Sequence, residues 1–327
     1  MIAAIVLAAV APSLSGSNST TVPFMLFDNR MLVQTRIDGD GPFTMVVDTG
    51  SYEVDVTPAV ARRLSLAMKP AGSATGAGSG STQFFTTQIP TFALGSLHLA
   101  NIAAGVIDLS AIQRAIGFPR LDGIIGYGVL GKYRVGVDMD AQRLTLSAKP
   151  LPVPKAATSE PLTLSGGAIH IAAAVDGIHG QFFVDTGDRS SLTLFRHFAE
   201  ANNFYRDAPV RNVVTGVGVG GPIYSDVRRT TVSLFGATIP GVVTRLPRDR
   251  AGAFATGSDA ASIGTGLLKR FNIVYDYPAR TIYAWPSRFF AEKDRYAPLA
   301  FANGRLHVVE DADDPTVKAS PSPSPSG

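Results

Sequence analysis

The sequence predicts a mainly β protein of two homologous lobes with short helices. Two observations carry that expectation. The 327 residues include 33 glycines and 22 prolines, which break the chain into short elements and many turns. The chain also repeats itself. IGYGVLGKYRVGVD (125–138) returns as IGTGLLKRFNIVYD (263–276), a shift of 138 with five of fourteen positions identical. MVVDTGS (45–51) returns as FFVDTGD (182–188) at a shift of 137, and Ile37-Asp38-Gly39 returns as Val175-Asp176-Gly177 at 138. TGAGSG (75–80) faces TGVGVG (215–220) at a shift of 140. Four blocks in one order with small gaps mark two copies of one domain, at a period far longer than that of solenoid repeats. The copies are expected at 22–148 and 162–290, joined by an extended Pro-rich linker at 149–161 (KPLPVPKAATSEP).

Each copy reads with the same grammar. A strand-like run (Leu32–Ile37; Ala168–Val175) meets an Asp-Gly turn, and a second apolar strand then ends at Asp-Thr-Gly. A short helical segment follows, with Pro58 suited to the first turn of TPAVARRL in copy one. A Gly-rich hairpin, β-branched runs and a Gly-punctuated apolar segment lead into the last strand.

The ends lie outside the repeat. Residues 2–11 (IAAIVLAAVA) are all apolar, too few for the roughly 20 residues that span a bilayer. They fit the core of a secretory signal, so 1–21 is read as a signal segment and the protein as exported, periplasmic or secreted. No Lys or Arg precedes the run and Pro12 follows Ala11, so a buried first strand or a mis-set start codon is the alternative. Residues 291–327 form an extension whose tail (DADDPTVKASPSPSPSG) is expected to be disordered.

Composition narrows the chemistry. With 29 basic and 26 acidic residues the net charge is +3, too weak a balance to argue for a nucleic-acid partner. Zero cysteines exclude disulfides, thiol nucleophiles and zinc–cysteine or iron–sulfur sites. Five scattered histidines (His98, His170, His179, His197, His307) give no metal-binding spacing, and no metal is expected. Gly126/Gly128/Gly131 and Gly216/Gly218/Gly221 match G-x-G-x-x-G, but neither lies in the strand–loop–helix context of a dinucleotide site. Arg245, Arg248 and Arg250 (TRLPRDR) read as a solvated basic loop.

The remaining chemistry lies in the two Asp-Thr-Gly segments. Each puts a carboxylate at the end of a buried strand, and a glycine lets the backbone turn there. If the copies pack about a pseudo-twofold axis, Asp48 and Asp185 meet on it. Two carboxylates about 3 Å apart cannot both ionise easily, so the pair holds one proton and titrates as a unit. Such a pair suits amide hydrolysis: the ionised member activates water and the neutral one polarises the carbonyl. Thr49 and Thr186 are placed to hydrogen-bond across the axis, or their methyls simply fill space.

In these segments the chain resembles the retropepsin/pepsin superfamily of aspartic peptidases, and in particular bacterial two-copy retropepsin-like proteins. MVVDTGS and FFVDTGD carry the resemblance, with LDGIIGYGVLG (121–131) and ASIGTGLLKR (261–270). The resemblance spans about 24–286 and implies two β-barrel lobes in a pepsin-like bilobal fold. It implies an aspartic endopeptidase active as a monomer on a peptide or protein substrate, with no cofactor beyond the catalytic water. It makes Asp48 and Asp185 the catalytic pair and Thr49, Gly50, Ser51, Thr186, Gly187 and Asp188 the loops around them. Ile124, Ile125 and Gly126, with Ser262, Ile263 and Gly264, would support those loops from behind. Gly76, Gly78, Gly80 and Gly216, Gly218, Gly220 fall where the superfamily carries its flaps. Phe84 and Phe85, or Ile223 and Tyr224, are candidates for apolar cover.

Two departures sit in copy two. Asp188 stands where Ser, Thr or Ala is usual, whereas copy one has Ser51, which is suited to hydrogen-bond its carboxylate. Arg189 is expected to neutralise Asp188, or Asp188 to cap the segment that follows. Ala261-Ser262 replaces Asp122-Gly123. These departures motivate the alternative of an inactive peptide-binding pseudoprotease.

Overall fold

The computed structural model describes residues 18–118, 120–206, 208–294, 299–302 and 305–308. Most of the expected signal segment and the Pro/Ser-rich tail lie outside the described residues. Each copy folds into an eight-stranded sheet with the same internal order. In the first lobe the order is Met25–Phe27, Arg30–Ile37, Asp40–Val47, Gly123–Ile125, Val54–Val56, Leu97–Ile107, Thr82–Leu94, Lys69–Ala74. In the second it is Thr163–Ser165, Ala168–Val175, Ile178–Asp185, Ala261–Gly264, Leu192–Leu194, Ala237–Pro247, Gly221–Leu234, Val210–Gly218. Each sheet curls until distant strands touch: Ile37 pairs with Phe92, and Val175 with Val232.

Local chemistry explains the shared elements. The turns after the first long strand of each lobe use Asp38 and Gly39, then Asp176 and Gly177, all at positive φ. Asp-Gly is the pair that such a tight hairpin favours. The helix Pro58–Arg63 starts at Thr57, whose side chain accepts a hydrogen bond from the Val60 amide. Pro58 costs nothing there, because the first helical amides lack partners anyway.

A third sheet belongs to both lobes. Its order is Ser19–Pro23, Arg143–Ser147, Arg134–Asp138, Phe271–Asp276, Thr281–Pro286, Thr158–Pro161. The repeated strands Arg134–Asp138 and Phe271–Asp276 pair with each other, Val135 opposite Tyr275 and Val137 opposite Ile273. A shift of 138 relates Val135 to Ile273 and Val137 to Tyr275, so these contacts are those of an isologous pair. Residues 19–21 belong to this sheet, as do the last four residues of the expected linker. One buried core runs from Val22 in the first lobe to Ala284 in the second. No helix among the described residues is long and apolar enough to cross a membrane.

Candidate active site

Strand Asp40–Val47 runs into Asp48, and strand Ile178–Asp185 ends on Asp185. Both strands stop at the base of a cavity of about 520 Å³ between the lobes, lined by both aspartates. The Asp48 carboxylate lies against Gly187 and the Asp185 carboxylate against Gly50, so each faces the opposite loop. Gly50 N donates to Asp48 Oδ1 at 2.7 Å, and Gly187 N donates to Asp185 Oδ1 at 2.9 Å. The glycines are needed for a steric reason. A Cβ on Gly187 would lie 2.3 Å from Asp48 Oδ2, and one on Gly50 would lie 2.9 Å from the Asp185 carboxyl carbon. Each loop therefore approaches the opposite aspartate as only glycine permits.

The threonines lock the two loops together. Thr49 N donates to Thr186 Oγ1 at 3.0 Å, and Thr186 N donates to Thr49 Oγ1 at 3.1 Å. Each hydroxyl donates across the axis, Thr49 to the Val184 carbonyl at 2.7 Å and Thr186 to the Val47 carbonyl at 2.8 Å. All four bonds are buried, where losing one partner costs the other its desolvation.

The apolar-apolar-Gly segments lie behind these loops. Ile124 and Ile125 pair in parallel with Val46 and Val47, while Ile263 and Gly264 pair with Val184 and Asp185. A Cβ on Gly126 would meet the Glu53 carbonyl at 2.2 Å, and one on Gly264 the Ser190 carbonyl at 2.2 Å. Asp48 N donates to the Ile125 carbonyl and Thr265 Oγ1 to the Thr186 carbonyl, both at 3.0 Å. Ser262 is fully buried, its hydroxyl without a partner among the described residues. The strand registers put Ser262 in the place of Ile124, so the expected replacement of Asp122-Gly123 by Ala261-Ser262 is off by one: Ala260 stands where copy one has Asp122, which accepts from Thr44 N at 2.8 Å.

The Gly-rich segments meet over the cavity. Gly78 N donates to the Val219 carbonyl and Gly80 N to the Gly220 carbonyl, both at 2.9 Å. A Cβ on Gly78 would come within 2.5 Å of the Gly220 and Gly221 backbone, and one on Gly218 within 2.8 Å of Ala77. Gly76 and Gly216 also line the cavity. Phe84 and Ile223 face it, whereas Tyr224 is exposed.

Burial raises the Asp48 carboxyl, despite bonds from Gly50 and Asp185. Burial raises Asp185 further, and the charges of Asp48 and Asp188 add to it. The pair thus keeps a proton above the ordinary carboxylate range. Asp188 goes the other way. Burial works against its charge, but Arg245 and the Ser190 bonds hold it below the usual value.

The structure corrects three expectations here. Arg245 is not in a solvated loop: it is 4 % exposed, in strand Ala237–Pro247, and its guanidinium lies 2.6 Å from Asp188 Oδ2. Arg189 does not neutralise Asp188 but pairs with Asp28 at 2.6 Å, and Asp28 also holds Arg30. Asp188 does cap the following segment, accepting from Ser190 N at 2.9 Å. The Ser51 hydroxyl does not bond Asp48; it donates to Asp55 Oδ2 at 3.3 Å. Sequence reasoning missed Asp28, Arg30 and Asp55. Aligning the copies by strand gives the signal: Asp55 pairs with Gly105 as Thr193 pairs with Arg245.

Residues 33–131 match the family model described as "gag-polyprotein putative aspartyl protease". No curated protein matches the sequence. Among solved structures, the aspartic proteinase from Irpex lacteus aligns at TM-score 0.53 and 17 % identity, covering 85 % of this chain and 100 % of its own. Basic 7S globulin from soybean aligns at TM-score 0.47 and 10 % identity, covering 86 % of this chain and 100 % of its own. The chain has the bilobal fold of pepsin-like aspartic proteinases, and together with the family match in its first lobe this supports the retropepsin/pepsin-like superfamily.

Proposed function

We propose that the protein is an aspartic endopeptidase acting on an extended peptide held in the cleft between its lobes. The observation that carries this reading is the Asp48–Asp185 pair, each carboxylate set against the glycine of the opposite Asp-Thr-Gly loop and both lining that cleft. One proton serves both residues. The ionised carboxylate takes a proton from the attacking water, and the protonated partner donates to the scissile carbonyl oxygen as the tetrahedral species forms. The same carboxyls then deliver a proton to the leaving amine. The charge of Asp188 next to Asp185 supports the protonated form, so activity extends above the ordinary carboxylate range. Asp188 gives little support to a pseudoprotease, because Arg245 balances its charge.

The test is hydrolysis of a mixed peptide library between pH 3 and 8, read by mass spectrometry, with Asp48→Asn and Asp185→Asn as controls. Cleavage by the wild type that drops by at least about a thousandfold in either variant is expected. Normal turnover in one of them, or no cleavage by the folded wild type at any pH, overturns the proposal.

A further inference from the structure

The two halves of the cleft are built on one plan, and their charges differ at equivalent places. In the second lobe Asp188 occupies the position of Ser51, Thr193 that of Asp55, and Arg245 that of Gly105. There the set is closed. Arg245 reaches Asp188 at 2.6 Å, and its guanidinium also donates to Thr193 Oγ1. In the first lobe the carboxylate is present and the cation is missing. Asp55 is 8 % exposed and lines the cleft, yet no ion pair reaches it among the described residues. Its only hydrogen bond there is the long one from Ser51, to Oδ2. Oδ1 accepts none.

Glycine at 105 makes room for this carboxylate. A Cβ there would lie 2.0 Å from Asp55 Oδ1 and 2.6 Å from the Phe84 ring. The Phe84 ring thus lies beside the carboxylate, and Ile107 and Ile124 continue the apolar wall. The charged neighbours are also anionic: Glu53 and Asp48 both act to raise Asp55. A carboxylate nine-tenths buried in apolar surroundings with no counter-ion favours a ligand that brings one. The shape calls for a long aliphatic stem with a cationic end.

We propose that the first-lobe half of the cleft receives a lysine or arginine side chain of the substrate, with Asp55 as its counter-ion and specificity determinant. This rests on the reading of the cleft as a peptide site. The substrate's cation would fill the place that Arg245 fills in the second lobe. Asp55 is a specificity residue in this scheme; it takes no part in the bond cleavage assigned to Asp48 and Asp185.

The test compares fluorescently labelled peptides that differ only by lysine or norleucine at one position, scanned through each position in turn. Norleucine keeps the stem and removes the charge. Affinity is read by anisotropy on the full chain, for wild type, Asp55→Asn and Asp55→Thr, the last taking the residue of the second lobe. Circular dichroism identifies a misfolded variant, and either folded variant decides the question. At one position the wild type is expected to favour lysine at least about tenfold, and both folded variants to lose that ratio. Equal affinities at every position, no binding of either peptide, or a lysine preference that survives in a folded variant overturns the proposal. Cleavage of the same peptides is scored separately. A lysine preference without cleavage would count against the peptidase reading alone and leave this one standing.

Discussion

Asp55 and Asp188 are buried carboxylates near the same dyad with opposite fates, and the difference is one guanidinium. Arg245 keeps Asp188 ionised below the ordinary range. Asp55 has no such partner among the described residues, so burial first, and then Glu53, pushes it from 3.8 to about 6. The folded protein therefore holds this proton at a pH where the unfolded chain has already lost it. That contribution to stability is complete below about pH 4 and disappears as the pH rises through 6. Asp55→Asn removes it. Between pH 4 and pH 7 the wild type should lose about 2.4 kcal/mol relative to Asp55→Asn, from a shift of roughly two pH units that is already partly expressed at pH 4. Urea melts of the two proteins at both pH values measure the difference. Parallel stability curves would show that Asp55 titrates normally and that its cleft is wet.

The paired hairpins are elements whose sequence makes sense only in the folded pair. Gly78 lies within hydrogen-bonding distance of Val219, and a Cβ there would strike backbone rather than a side chain that can swing away. Gly78→Ala should hold the hairpins apart with little loss of global stability, because the contact joins two loop tips. A flap held off the substrate misplaces it, so kcat/KM should fall by about 10- to 100-fold. Steady-state kinetics beside a thermal melt checks this, and an unchanged kcat/KM would mean that the hairpins do not cover the reacting peptide. The sequence made much of this scale legible. The Asp-Gly turns, the Asp-Thr-Gly loops, the supporting Ile-Gly segments and the glycine hairpins all recur in both copies, and recurrence is visible without coordinates. What it hid were partnerships made by only one copy. Arg245 is 57 residues from Asp188 and Arg189 is 161 from Asp28, and no local pattern announces such pairs. Arg245 also sits in a run of arginines that resembles a surface loop, and only its strand pairing with Thr193 turns it inward.

At the scale of the whole molecule, the site depends on a sheet that neither lobe owns. Strand Phe271–Asp276 is hydrogen-bonded on one side to Arg134–Asp138 of the first lobe and on the other to Thr281–Pro286 of its own. The dyad needs the same arrangement, since each aspartate is packed against the glycine of the opposite loop. Separating the lobes would expose the edges of that sheet and four buried threonine hydrogen bonds at once. The lobes should therefore unfold together. Scanning calorimetry is expected to give one transition, with calorimetric and van't Hoff enthalpies in agreement. Tyr275 is the sharpest probe of that coupling. It is 1 % exposed, opposite Val135 across the lobe boundary and part of the core that runs through both lobes. Tyr275→Ala should cost about 3–5 kcal/mol, as for other large aromatic truncations. It should lower the single transition without splitting it. A second transition in the variant, with one lobe melting at the wild-type temperature, would mean that each lobe is stable alone and that the shared sheet only docks them.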